Sequence, residues 1–196
     1  MTKNIIIVFL LVLDICMMAF FLHYIKEEGI NKRQQYVYQN IAYDYRKLIQ
    51  ADSSRMILQN IDIVNTHKQK EVIDSVLRKN PILVIRYSSL SCHTCIDSVV
   101  NKARLLSQTL GRENICIFAN YHSDSDFKVF WRTNNNYFRI YSVVSAIKRI
   151  DKFNTPYMFV LNNDKTISHL FIPHKEIPEM TKWYLDVVQQ YLMEHN

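Results

Sequence analysis

Beyond about residue 60 this chain predicts an α/β domain, and three observations predict it. The run Ile82-Leu83-Val84-Ile85 reads as a strand buried on both faces, and it leads straight into Ser91-Cys92-His93-Thr94-Cys95. Segments with strand and helix patterns alternate on either side of that run. Near the C-terminus two apolar stretches flank the turn Asn162-Asn163-Asp164, the pattern of an antiparallel hairpin.

Taken in order, the chain begins with IIIVFLLVLDICMMAFFLHYI over residues 5–25, 21 residues that as a helix would be about 31 Å long, close to a bilayer's hydrocarbon thickness. It has no A-x-A-like cleavage site, and Leu13-Asp14-Ile15-Cys16 lacks the small residues that precede a lipid-modified cysteine. An uncleaved anchor is therefore expected, with the boundaries 1–25 for the anchor, 26–59 for a helical stalk and 60–196 for the folded domain. Asp14 falls near mid-membrane, where it either protonates, finds a polar partner in a second helix, or is tolerated among Leu, Ile and Phe. A dimer through the span or the stalk is one consequence. In the stalk Ile30, Val37, Ile41, Tyr45 and Leu48 recur at helical steps.

The α/β part follows. Residues 61–64 alternate as a short strand, 70–79 carry helical spacing, and 82–87 form the buried strand. A helix is expected over 92–110, ended by Gly111 as a left-handed cap, then a strand over 115–119. Helical pieces are expected over 126–132 and 143–150, with a strand near 137–141 between them. Residues 155–161 and 166–172 pair as the hairpin, and 176–193 close the chain as a helix.

Composition narrows the function classes. The chain has only two glycines, Gly29 and Gly111, so no phosphate-cradling loop is available. The net charge of +6 is spread rather than clustered, which indicates a solvated surface and no nucleic-acid partner. Cys116 lies mid-run in Asn114-Ile115-Cys116-Ile117-Phe118 and reads as a buried small hydrophobe, while Cys16 belongs to the apolar segment. Neither completes a four-cysteine zinc site, and no resident metal is expected.

What remains is the pair Cys92 and Cys95. Positions i and i+3 at the start of a helix have Cβ atoms about 5 to 6 Å apart, so a small adjustment brings the sulfurs to bonding distance. The unpaired N–H groups and partial positive charge of a helix N-terminus favour the Cys92 thiolate, and a His93 imidazolium would lower its pKa further. Cys92 is thus the expected attacking sulfur and Cys95 the resolving one, with their disulfide as the redox centre and no organic cofactor.

This order of elements, with CxxC at a helix start and Thr155-Pro156 opening a later strand, resembles the thioredoxin superfamily over about residues 60–193. It is most similar to the membrane-anchored thiol-disulfide oxidoreductases and redoxin-like proteins of bacteria. The resemblance implies a central mixed sheet flanked by helices, and protein thiols and disulfides as substrates alongside a redox partner. It also implies support of the site by His93, Thr94, Thr155 and Pro156, with Pro156 as a cis-proline facing the disulfide and Thr155 offering its backbone to a substrate strand. A bacterial inner-membrane protein with a periplasmic domain is expected, although Lys26, Lys32 and Arg33 after the span outnumber Lys3 before it. Two positions depart from the pattern. Ser91 replaces the usual aromatic, and Arg86 replaces the buried acid that many thioredoxins carry six residues before the first cysteine. Arg86 either points toward the cysteines and favours thiolate or, the preferred reading, reaches solvent from a strand end.

Two rival functions share this fold. One is copper or zinc binding and delivery, with Cys92, Cys95 and His169 or His174 as soft-to-borderline ligands. The other is a thioredoxin-like interaction module without catalysis.

Overall fold

The computed structural model describes the chain except for residues 1, 52–57, 59–60, 67, 78–79, 89–92, 144–146, 148–150, 152–154 and 196. Within helices the side chains of residues 2–10, 41–42, 44–51 and 93–95 also lie outside the description. The chain divides into two compact units, Met1–Asp44 and Tyr45–Asn196.

The first unit is helical and belongs to α1, Thr2–Ala51. Every side chain from 11 to 36 is exposed, including Leu11, Val12, Phe20, Phe21 and Ile25. Among the described residues no helix is long and apolar enough to cross a membrane. The expected span over 5–25 is therefore not seen as such: residues 5–10 have no described side chains, and 11–25 alone falls short of the roughly 20 apolar residues a crossing needs.

The second unit is built on a seven-stranded sheet. Its strands are β1 (Ile63–Val64), β2 (Lys70–Glu71), β3 (Ile82–Ser88), β4 (Ile115–Asn120), β5 (Arg139–Val143), β6 (Tyr157–Leu161) and β7 (Ile167–Phe171), in the spatial order β2-β1-β5-β4-β3-β6-β7. The strands β3, β4 and β5 run parallel, whereas β6 is antiparallel to β3, β7 to β6 and β1 to β5. The helices are α2 (Ile73–Leu77), α3 (His93–Leu110), α4 (Asp124–Asn134) and α5 (Pro178–Glu194).

Central position explains the composition of β3. It pairs on both edges and is covered on both faces, so residues 82–87 are all buried. Leu83, Ile85 and Tyr87 face a core shared with α3, α4 and α5, while Ile82 and Val84 face a second core with α2, Leu58 and Ile147. On α3 the residues Ile96, Val99, Val100, Ala103, Leu106 and Leu110 form one apolar stripe against the sheet. Each of its Ile, Val and Leu side chains contributes about 1.5 to 3 kcal/mol when fully buried.

Several boundaries shift from expectation for identifiable reasons. Lys70–Glu71 pair with β1 instead of starting α2. After α4 the N–H groups of Tyr137 and Phe138 both donate to Asn134 O, a turn that delays β5 until Arg139. Gly111 does take a positive φ of 86°, but with ψ 152° it is extended rather than left-handed helical, and it opens a short 3-10 turn at Arg112–Asn114. The helical piece expected over 143–150 begins inside β5, and its remainder lies largely outside the described residues.

Candidate functional site

The candidate site is at the C-terminal end of β3. Strand β3 ends at Ser88 and α3 begins at His93, one residue after Cys92. The N-terminus of α3 thus emerges at the end of the central strand, and Thr94 and Cys95 lie in its first turn. Cys92 itself and the side chains of His93, Thr94 and Cys95 fall outside the described residues, as does any bond between the two cysteines.

Register brings the second segment to the same edge. Tyr157 pairs with Arg86, and continuing that antiparallel register sets Pro156 level with Tyr87 and Thr155 level with Ser88. Pro156 is buried and immediately precedes β6. No peptide bond among the described residues is cis, so the Thr155–Pro156 bond is trans, contrary to the resemblance. Trans is the intrinsically favoured X–Pro isomer, by about 0.5 to 1 kcal/mol.

Around this edge the described groups are mostly protonated phenols and a paired charge. The Tyr87 and Tyr121 hydroxyls meet at 2.9 Å, with Phe130 packed edge-on to Tyr87. Burial pushes both tyrosines above their ordinary range, and for Tyr87 the neighbouring Tyr121 and the Asp97 carboxylate on α3 add to it. Both act as neutral hydrogen-bonding groups.

Arg86 departs from both sequence expectations. It neither faces α3 nor reaches solvent: its side chain is 2% exposed and lies on the opposite face of the sheet, which it shares with Ile82 and Val84. Its Nη2 donates to Asp151 Oδ2 at 2.7 Å and its Nε to both carboxylate oxygens at 3.2 and 3.3 Å. Its Nη1 donates to the carbonyls of Phe118 on β4 and Val143 on β5. Asp151 also accepts from Tyr157 Oη at 2.7 Å and from the Ile147 N–H at 2.9 Å. Sequence reading missed this cluster. Its one signal was a lone arginine inside an apolar strand, which must find an acid, but the acid lies 65 residues away.

The two histidines considered as metal ligands separate. His169 sits at a bulge on β7, opposite the middle of β6, with its ring 4.6 Å from that of Tyr191 on α5. Burial, then His195, lowers its pKa. It is not at the cysteine edge. His174 follows three residues after Phe171, which pairs with Met158, and so comes past the end of β7 that neighbours the start of β6. Among the described residues no cluster of three or more metal-ligating side chains occurs. Cys116 is fully buried, and burial pushes its thiol up to about 12, as suits a packing residue.

No protein-family model matches the chain, and no curated protein matches its sequence. Solved structures do match in fold. A thiol-disulfide isomerase from Corynebacterium glutamicum superposes with a TM-score of 0.52 at 14% identity, covering 74% of this chain and 99% of that one. Yeast Sco1 superposes with a TM-score of 0.50 at 10% identity, covering 72% of this chain and 97% of that one. At such identities the likeness is one of fold, and the fold of this chain is thioredoxin-like, a mixed sheet flanked by helices with the CxxC sequence where the central strand meets its helix.

Proposed function

We propose that this protein is a membrane-tethered thiol-disulfide oxidoreductase. In this reading the Cys92 thiolate attacks a disulfide sulfur of a partner, forms a mixed disulfide and releases the partner's other sulfur as a thiolate. Cys95 then attacks Cys92, so the partner leaves reduced and Cys92–Cys95 is oxidised; the reverse sequence oxidises a dithiol partner. The observation that carries the reading is the start of α3 at His93, directly after Cys92 and off the end of the central strand, on a thioredoxin-like fold. A helix N-terminus there favours thiolate by its free N–H groups and partial positive charge. Thr155 and Pro156, level with the end of β3, are suited to receive an extended substrate segment, and His93 and Thr94 to adjust the thiols.

The tether in this reading is residues 5–25. Its support is the sequence itself together with the exposure of every described side chain from 11 to 25, since a helix apolar on all sides needs a nonpolar environment. A single span with the folded domain in the periplasm of a bacterial inner membrane completes the proposal. The experiment is equilibration of the purified full-length protein with dithiothreitol buffers, followed by alkylation and mass spectrometry. A two-electron transition confined to Cys92 and Cys95 is expected. Two independent thiols with no reducible bond between them would overturn the reading.

A second reading keeps a foothold. The position of His174 past the end of β7 that neighbours the start of β6 suits copper or zinc binding by two thiolates and an imidazole. It predicts stoichiometric Cu(I) or Zn(II) uptake that is lost on His174→Ala, whereas disulfide exchange alone would survive that change.

A further inference from the structure

We infer that Arg86 and Asp151 form a positioning pair that pins the connection between β5 and β6 and thereby sets Thr155–Pro156 against the cysteine edge; its consequence for substrate rests on the oxidoreductase reading. Strand order makes the pin necessary. Because β6 lies beyond β3 from β5, the chain between Val143 and Tyr157 must cross β4 and β3 to reach its place. Ile147, an early described residue of this connection, belongs to the core on the face opposite α3. A connection of that length has many alternative paths when nothing fixes it.

Arg86 removes them. Its guanidinium holds β4 through Phe118 O and β5 through Val143 O while its other edge takes the Asp151 carboxylate in a forked arrangement. That geometry is specific to a planar guanidinium. The carboxylate in turn receives Tyr157 Oη and Ile147 N–H, so one acid fixes both the start of β6 and an earlier point of the crossing. Thr155 and Pro156 lie between Asp151 and Tyr157 in the chain, bounded by two partners of a single cluster. Arg86 acts through these residues and touches no substrate itself.

Breaking the pair singly would leave a buried charge unpaired, so the test replaces both partners. In the full-length protein Arg86→Met with Asp151→Leu is compared with wild type, and Tyr157→Phe serves as a milder second variant. Hydrogen exchange over 144–156 should quicken by about tenfold in the double variant and by a smaller factor in Tyr157→Phe, with 99–106 on α3, across the sheet from the pair, unchanged. The KM for a disulfide-containing peptide should rise by about tenfold, while the rate with hydroxyethyl disulfide, which needs no strand contact, stays within about twofold. Unchanged exchange over 144–156 in Tyr157→Phe and in the double variant, or peptide and small-disulfide rates that fall together, would overturn the inference. A wild-type protein inert toward both disulfides would instead sink the oxidoreductase reading, and the hydrogen-exchange comparison would still decide the pin.

Discussion

Burial decides what a thiol can do, and Cys116 sets the contrast for Cys92. Fully enclosed between β3 and β5, Cys116 keeps its proton to about pH 12, whereas an unfolded chain releases it near 9. Between those values the native state holds a proton the unfolded state has lost, so stability is intact below pH 9 and falls as pH rises, by about 1.4 kcal/mol per pH unit from this group. Burial and the Asp151 carboxylate raise Tyr157 as well, and burial raises Tyr87, so the loss should steepen above pH 10. Urea unfolding at pH 8, 9.5 and 11 measures it; a stability flat over that range would contradict the assignment. Cys92 should behave oppositely, with an alkylation pKa below the free value of about 8.5, while Cys116 reacts only after unfolding. The burial of Cys116 was legible in the sequence because it follows from its apolar neighbours Ile115, Ile117 and Phe118. Arg86 was not, since its role depends on Asp151, and nothing local ties the two.

Elements were legible where one pattern dominated. The buried run of β3, the stripe of α3 and the hairpin of β6 and β7 need only short-range regularity, and each lies where periodicity puts it. Lys70–Glu71 was misread because two residues cannot show a period, and their strand state comes from pairing with β1. Strand β5 was displaced by two residues because Asn134 O accepts from both the Tyr137 and the Phe138 N–H groups in a turn after α4. Gly111 shows how one residue governs a junction. Its φ of 86° is unfavourable for any side chain, and a Cβ there would also make the Glu113 carboxylate move aside. Gly111→Ala should therefore cost more than about 1 kcal/mol, read as a lower urea midpoint at unchanged slope. A midpoint equal to wild type would show that the α3–β4 junction tolerates a side chain.

At the scale of the molecule, the order of parts was legible and the cross-sheet path was not. Alternating strands and helices gave the sheet its composition, but only the strand order reveals that the chain between β5 and β6 must recross β4 and β3. If residues 5–25 tether the protein, it stays with membranes through a carbonate wash, and deleting 1–25 releases it. A reporter fused after Asn196 should be active only outside the cytoplasm; activity confined to the cytoplasm would mean that Lys26, Lys32 and Arg33 set the orientation. The central claim is that Cys92 exchanges disulfides and Cys95 resolves them, and trapping tests it most directly. Cys95→Ser expressed in cells should accumulate mixed disulfides through Cys92, visible by mass spectrometry and absent from Cys92→Ser. A Cys95→Ser protein that holds no partner, or holds the same partners as Cys92→Ser, would contradict the account.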